Sequence, residues 1–110
     1  MTMYGSIQEL IDKFHRKAEK DEKVRMKLKD VVKTINIDLG TESYSMKLEN
    51  AHISDYREGM ADGADILLIS TPENLQAMIS GDLRPMKAYL TKKFTVKGKL
   101  EDLLHLKSLF

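Results

Sequence analysis

The stretch ADILLISTPENLQAMISGDLRPMKAYLTKKFTVKG, residues 64–98, decides the fold of this chain. Its continuous apolar run Ile66–Ile69 predicts a strand that is covered on both faces. Thr71 followed by Pro72 predicts a helix start, because a hydroxyl caps the free amide groups there and proline suits the first helical position. Gly81 marks the predicted end of this helix, since glycine readily adopts the left-handed conformation that closes a helix.

The remainder of the stretch predicts a second short helix and a final strand. Pro85 can open the helix, and we expect its three apolar side chains to face the interior. These side chains are Met86, Tyr89 and Leu90. Phe94 and Val96 alternate with polar residues, which predicts a strand that ends at Gly98.

Upstream, the spacing of apolar residues predicts two helices followed by three strands. Ser6 and Glu9 have the spacing of a capping box, so we expect the first helix to begin just after Ser6. The apolar stripe of this helix consists of Ile7, Leu10, Ile11, Phe14 and Ala18, and a shorter helix carries Val24 and Leu28. Alternation then predicts a hairpin of two half-buried strands, around residues 35–39 and 44–48, and a more polar third strand over residues 52–58.

Residues 100–110 form an amphipathic tail whose apolar face is wide for so short a helix. We expect this face to be covered by another part of the molecule. Strands and helices are segregated along the chain instead of strictly alternating, which predicts a layered α+β domain. A chain of 110 residues is long enough for one such domain, over residues 1–110, with one modest core.

The composition excludes several classes of protein. The chain contains no cysteine, so disulfides, cysteine–zinc sites and thiol catalysis are excluded. This composition fits a cytoplasmic protein. The longest wholly apolar run, Ile66–Ile69, is far shorter than the roughly 20 residues that span a bilayer. The first residues lack the basic and apolar regions of a signal peptide, so we expect none.

Motifs for catalysis, metals and cofactors are absent from the sequence. His15, His52 and His105 are scattered without the spacing of metal ligands, so we expect no metal site. The sequence has no Gly-x-Ser-x-Gly elbow, no phosphate-binding loop and no dinucleotide motif. We therefore expect neither enzymatic activity nor a cofactor, and an unrecognised small enzyme is the weakest of the hypotheses.

The formal net charge of +1 conceals three blocks of charge. Residues 13–33 carry nine basic and four acidic side chains, whereas residues 38–82 carry two basic and nine acidic ones. Residues 84–99 carry six basic side chains and no acidic one. Such blocks are typical of solvated faces, but the last block could also attract an anionic head group or membrane surface. The basic blocks lack interleaved aromatic residues, so we do not expect nucleic acid as a partner.

Residues 64–98 resemble the sterol carrier protein 2 family. The shared features are an Ala-Asp pair that opens a strand, a helix that ends in Gly, a linker into Pro, an Ala followed by an aromatic residue, and a last strand that ends in Gly. The matching positions are Ala64, Asp65, Gly81, Pro85, Ala88, Tyr89, Phe94, Val96 and Gly98. The resemblance implies a five-stranded, mostly antiparallel sheet covered by helices around an apolar tunnel. It also implies binding of fatty acids, fatty acyl-CoA, phospholipids or sterol-like molecules.

This chain departs from the family pattern at two positions. Arg84 replaces the Asn that often precedes the proline, and arginine is a poor helix cap. Lys92 stands where many members have Gly. If the backbone has a positive φ at this position, the lysine stores strain of about 1 kcal/mol, because only glycine adopts that conformation freely.

The leading hypothesis is a lipid-binding module with the C-terminal helix as a lid, which transfers lipids within the cell. Its apolar walls are predicted to contain Ile35, Ile37, Met46, Leu48, Leu75, Met78, Ile79, Met86, Tyr89, Leu90, Phe94, Val96, Leu103, Leu104 and Phe110. We expect Lys92, Lys93 and Lys97 to contact an anionic head group and, transiently, an anionic membrane surface. Methionines suit such walls because their flexible side chains repack around ligands of different shape, although they also serve as ordinary core fillers.

The alternative hypothesis is a fully packed interaction domain. In this interpretation the apolar face of the tail, residues 100–110, binds a partner or a second copy of the chain. We expect a monomer or a weak homodimer in either case.

Overall fold

The computed structural model describes residues 2–110, except for the side chain of Leu100. The helices are α1 (Tyr4–Lys20), α2 (Glu22–Leu28), α3 (Pro72–Ser80), α4 (Pro85–Leu90) and α5 (Leu100–Lys107). The strands are β1 (Val32–Asp38), β2 (Ser43–Glu49), β3 (His52–Glu58), β4 (Ile66–Ile69) and β5 (Thr95–Lys97). The predicted order of helices and strands is confirmed.

The five strands form one sheet in the order β3-β2-β1-β4-β5. The β1–β4 pair is parallel, whereas the β1–β2, β2–β3 and β4–β5 pairs are antiparallel. The predicted α+β fold with a mostly antiparallel sheet is therefore confirmed. β1 lies in the middle, where Ile35 is opposite both Met46 of β2 and Ile66 of β4. These residues share one face, and α1, α3 and α5 pack on that face.

Helix α1 begins at Tyr4, so the predicted start after Ser6 is wrong by about one turn. The residue before the helix, Met3, makes no side-chain cap, but its backbone N–H donates to Glu42 Oε1 at 2.6 Å. A carboxylate from the hairpin thus satisfies the helix end that the Ser6 side chain was expected to cap. The predicted apolar stripe of α1 is buried throughout.

The opposite face of the sheet is only partly covered, so the prediction that β4 is covered on both faces is wrong. Ile66 and Leu68 are buried beneath the helices, whereas Leu67 and Ile69 are half-buried. The loop at Ala61 lies against this second face, where its backbone N–H and C=O make two hydrogen bonds with the Asn36 side chain. The half-burial of Leu67 and Ile69 shows that this face is covered less completely than the face beneath the helices.

The end of α4 forms a Schellman motif around Lys92. The Lys93 N–H donates to the Ala88 carbonyl at 2.7 Å, and the Lys92 N–H donates to the Tyr89 carbonyl at 3.2 Å. Lys92 has a φ of 60°, in the left-handed position that glycine usually occupies in this motif. The expected strain at Lys92 is therefore present. Arg84, at the other end of α4, makes no side-chain cap, also as expected.

Replacing Lys92 with glycine should stabilise the domain. The variant Lys92→Gly is expected to raise the free energy of unfolding by about 1 kcal/mol, because glycine adopts positive φ without steric cost. Urea denaturation followed by circular dichroism measures this change. Lys93→Gly is the matched control and should lower stability by about 0.5 kcal/mol, since Lys93 has an ordinary negative φ. A loss of stability in Lys92→Gly would contradict the assignment of strain to this position.

Candidate functional site

A small apolar cavity lies between the sheet and the helices α1, α3 and α5. Its volume is about 20 Å³, enough for roughly one water molecule. The lining residues are Ile7, Leu10, Ile11, Phe14, Ile35, Ile37, Met46, Ile53, Leu68, Leu75, Leu106, Leu109 and Phe110. Every one of these side chains is apolar, so water would find no hydrogen-bond partner and the cavity should stay dry.

The chemistry of this cavity restricts what it can hold. Without a polar side chain in its lining, it can bind an apolar group by burial and dispersion but cannot orient a reacting group. A long acyl chain occupies many times the volume of one water molecule. Binding such a chain therefore requires α1, α3 or α5 to move away from the sheet.

Twelve of the fifteen predicted wall residues lie in or against the apolar core beneath the helices. Five of them line the cavity itself, namely Ile35, Ile37, Met46, Leu75 and Phe110. Four others are buried in the same core, namely Leu48, Met78, Phe94 and Leu103. Ile79, Met86 and Val96 are partly buried against it. Contact of these residues with lipid stays a prediction.

Tyr89, Leu90 and Leu104 are on the surface, so their predicted inward orientation is wrong. Tyr89 is 37% exposed, Leu90 74% and Leu104 58%. In the six-residue helix α4 the side chain that is buried is Ala88, and the next two residues are rotated away from it by about 100° and 200°. Leu104 points away from the buried side of α5, which carries Leu103 and Leu106.

Helix α1 forms one wall of the cavity, and the site predicted from the sequence did not include it. Four of its residues line the cavity, together with four from other elements that were also omitted. The four from other elements are Ile53, Leu68, Leu106 and Leu109. The apolar stripe of α1 was visible in the sequence. In a two-layer domain such a stripe must face the sheet, and that rule could have added α1 to the predicted walls.

A buried carboxylate connects the α5 wall to the sheet. Asp102 is 1% exposed, and its Oδ1 lies 3.4 Å from Lys33 Nζ of β1. Its Oδ2 accepts a hydrogen bond from the Lys99 N–H at 2.8 Å. Among residues 2–110, the Lys33–Asp102 ion pair is the only polar side-chain contact between α5 and the sheet. His105 Nδ1 is close to the same carboxylate, at 3.8 Å from Oδ1.

The position of Asp102 explains why residue 98 is glycine. A Cβ atom on Gly98 would lie 2.7 Å from Asp102 Oδ2, so any larger residue would force the buried carboxylate to shift. Gly98 ends the last strand in the pattern by which this chain resembles the sterol carrier protein 2 family. Its role is to let the buried carboxylate approach the backbone between β5 and α5.

The α1 wall has polar contacts with the sheet at both ends. Tyr56 donates its hydroxyl proton to the Tyr4 carbonyl at 2.8 Å. Further along the helix, His15 Nε2 accepts a hydrogen bond from the Ile53 N–H at 3.0 Å, and its ring stacks on His52 with centroids 4.3 Å apart. Burial, and next the neighbouring His52, lower the pKa of His15 below its ordinary value of 6.5. A neutral His15 is what the Ile53 contact requires, because a protonated Nε2 cannot accept a hydrogen bond.

The lysines predicted to contact a head group are exposed at the α4–β5 corner. Lys92, Lys93 and Lys97 all project into solvent. The Lys93 carbonyl accepts hydrogen bonds from Ser70 Oγ and Asn74 Nδ2, which fixes this corner against the start of α3. In the part of the chain that the structure describes, the cavity lining includes no residue of α4 or β5. These lysines therefore do not border the cavity.

Among the described residues, no helix is long and apolar enough to cross a membrane. No cluster of three or more histidine, aspartate and glutamate side chains that could hold a metal ion occurs within residues 2–110.

The sequence profile of the SCP-2 sterol transfer family matches residues 11–110. Because this match includes most of the chain, the protein belongs to the SCP-2 sterol transfer family. A search of curated proteins finds no match.

Solved structures of this family have the same fold. The UbiJ-SCP2 ubiquinone synthesis protein is 15% identical with a TM-score of 0.69, and the alignment covers 97% of this chain and 91% of that chain. A crystal structure of sterol carrier protein 2 is 15% identical with a TM-score of 0.67, covering 92% and 87%. Palmitated SCP2L2 from Aedes aegypti is 15% identical with a TM-score of 0.64, covering 91% and 89%.

The chain also matches one part of a much longer enzyme. It is 18% identical to the sec-alkylsulfatase Pisa1 from Pseudomonas sp., with a TM-score of 0.63 over 78% of this chain. It spans only 14% of the length of that protein. At such low identities all of these likenesses concern the fold.

Removing the charge of Asp102 should loosen α5. Asp102→Asn is expected to lower the free energy of unfolding by about 2 kcal/mol, because Lys33 loses the partner of a largely buried ion pair. Urea denaturation gives the stability, and hydrogen exchange should show faster exchange of the α5 amides. The adjacent and exposed Glu101→Gln makes the same chemical change and should alter stability by less than about 0.5 kcal/mol. Equal effects of the two variants would show that the ion pair does not hold α5.

Stability should fall as the solution becomes acidic, in part through His15. Because the pKa of His15 is lower in the folded state, the unfolded state binds more protons, and stability is lost as the pH falls through 6.5. Thermal melting between pH 5 and pH 8 should show this slope, and His15→Gln should reduce it. Above about pH 7.5 both proteins should have the same slope, since His15 is then neutral in both states. Identical slopes between pH 5 and pH 7 would count against this assignment.

Proposed function

We propose that this protein binds single lipid molecules between the sheet and the helices α1, α3 and α5, and transfers them between membranes. The observation that carries the proposal is the wholly apolar cavity at the junction of three helices with the sheet. Membership of the SCP-2 sterol transfer family supports lipid binding or transfer as the general class. The palmitated state of SCP2L2, which shares this fold, favours acyl chains as one kind of ligand.

The small size of the cavity agrees with a carrier that closes when empty. An open apolar pocket of about 400 Å³ would cost roughly 10 kcal/mol, as much as the whole stability of a domain. A cavity of about 20 Å³ costs only about 0.5 kcal/mol on the same scale. The unliganded chain should therefore collapse onto its own core. An entering ligand would offset the cost of reopening by about 0.8 kcal/mol for each methylene group that leaves water.

The expected ligands are fatty acids, fatty acyl-CoA, phospholipids and sterol-like molecules. A ligand that moves from a membrane into the pocket exchanges one apolar environment for another, so the net free energy is small. Such a balance suits transfer better than tight storage. The proposal places the protein in the cytoplasm, where it makes transient contact with anionic membranes, and it assigns the chain no catalytic step and no cofactor.

The alternative of an interaction domain is less well supported by the burial of α5. Leu103, Leu106 and Leu109 of the C-terminal tail are buried inside the domain, and among the side chains that the structure describes on α5, Leu104 is the large apolar one that is exposed. The described part of this face therefore offers little apolar area to a partner. A concentration-dependent dimer that binds no lipid, measured by sedimentation, would favour the alternative.

A bulkier residue in the cavity wall should reduce lipid binding. Leu106→Phe, which fills the cavity, is expected to weaken palmitate binding about tenfold, since overpacking opposes expansion. Native mass spectrometry measures bound palmitate, and thermal melting measures its stabilisation. Leu90→Phe adds the same bulk on the surface of α4, where the side chain is 74% exposed and outside the cavity lining, and should bind like the unaltered protein. If the unaltered protein shows only its bare mass and no thermal shift with palmitate or palmitoyl-CoA, the proposed function is wrong.

A further inference from the structure

A basic groove lies beside the cavity, on the outer side of the contact between α1–α2 and α5. It has a volume of about 510 Å³ and is open to solvent. Val24 and Leu28 of α2 contribute apolar lining, and Leu104 of α5 lies on the opposite side. The basic lining residues are Lys17, Lys23, Lys27 and Lys107. We call this surface the lysine groove after these four residues.

The lysine groove and the cavity share two walls. On α1, Phe14 lines the cavity, and Lys17, almost one turn later, lines the groove. On α5, Leu106 lines the cavity, and the adjacent Lys107 lines the groove. A ligand whose acyl chain enters between α1 and α5 would therefore leave its head group in the lysine groove.

The charges in the groove favour an anion. Four ammonium groups share it with one carboxylate, that of Asp21, whose Oδ1 accepts a hydrogen bond from the Lys23 N–H at 2.9 Å. Within residues 2–110, none of the four lysines forms an ion pair with a carboxylate. Their charges are therefore available to an anion with several negative charges, such as a phosphorylated head group.

We propose that the lysine groove binds the phosphate-bearing head group of a long-chain acyl compound whose tail occupies the cavity. This inference rests on the proposed function, and it assigns the head group to a different surface from the α4–β5 corner. Long-chain acyl-CoA, with several phosphates, is the chemical class that best matches four lysines. A fatty acid, with a single carboxylate, should gain little from the groove.

The experiment compares three ligands, palmitoyl-CoA, palmitate and CoA without an acyl chain. Dissociation constants are measured by titration calorimetry at about 0.15 M salt, where charges farther away than about 8 Å are largely screened. The test variant is Lys17→Gln/Lys107→Gln, which removes one lysine from each wall of the groove. The matched control, Lys87→Gln/Lys99→Gln, removes the same total charge at exposed positions outside the groove and the cavity.

We expect the test variant to bind palmitoyl-CoA about tenfold more weakly and palmitate unchanged, while the control binds both like the unaltered protein. Equal losses in the two variants would show that overall charge, and not the groove, attracts the ligand. Unchanged palmitoyl-CoA binding in the test variant would overturn the inference. A tenfold loss in Lys92→Gln/Lys93→Gln instead would assign the head group to the α4–β5 corner.

The three ligands separate the sources of affinity. If CoA alone binds as tightly as palmitoyl-CoA, the groove is a phosphate site independent of the cavity, and the inference fails. If palmitate binds and neither variant changes the binding of palmitoyl-CoA, the inference fails but the proposed function stands. If neither palmitate nor palmitoyl-CoA binds to the unaltered protein, both proposals are overturned.

Discussion

One face of the five-stranded sheet has to be covered, and the whole structure depends on how α1, α3 and α5 cover it. The covered face is continuous across the central strands, from Met46 through Ile35 to Ile66. The contact between this face and the helices is apolar, and apolar packing has no directional preference. The helices are therefore placed by shape and by a few polar contacts near their ends, and their inner faces can separate from the sheet without breaking a hydrogen bond inside the cavity.

The polar contacts that hold the helices on the sheet differ between α1 and α5. α1 is held at Tyr4, its first residue, and at His15 in its second half. α5 is held by the Lys33–Asp102 pair near its beginning, and Leu106 near its end and Leu109 after it pack through apolar side chains. Of the two walls, α5 can therefore move from the sheet with the smaller loss of polar contacts. The apolar side chains that would be uncovered are those that an acyl chain would cover again.

Charge and apolar surface are separated along the same helices. The part of α1 from Ile7 to Phe14 contributes to the cavity, whereas Lys17 faces the groove where α2 begins. An amphiphilic ligand has the same division between tail and head. The acidic middle of the sequence, residues 38–82, contributes Met46, Ile53, Leu68 and Leu75 to the cavity but no carboxylate to its lining. The surface beside the α1–α5 contact is thus basic, while the interior is uncharged.

Sequence patterns were sufficient for the elements of the fold and for part of the site. The Thr71 side chain caps α3 by accepting from the Asn74 N–H at 3.1 Å, and Gly81 ends the helix with a φ of 88°. The period-two segments became β1 and β2, and five of the predicted wall residues line the cavity. These features depend on residues a few positions apart, or on the simple rule that alternate residues share a face. Such features can be predicted from neighbouring residues, without knowing how distant segments pack.

The tertiary structure decided everything that joins distant segments. It determined that α1 starts at Tyr4, because Glu42 from the hairpin lies there, and that Leu104 faces solvent, because Asp102 directs α5 toward Lys33. It also separated the cavity from the lysines at the α4–β5 corner and brought α2 beside α5. The sequence by itself determined, through its periodicity, which helices and strands form and which residues make up the apolar face of each. The partner that each face meets depends on packing between residues far apart in sequence, and no local pattern encodes that choice.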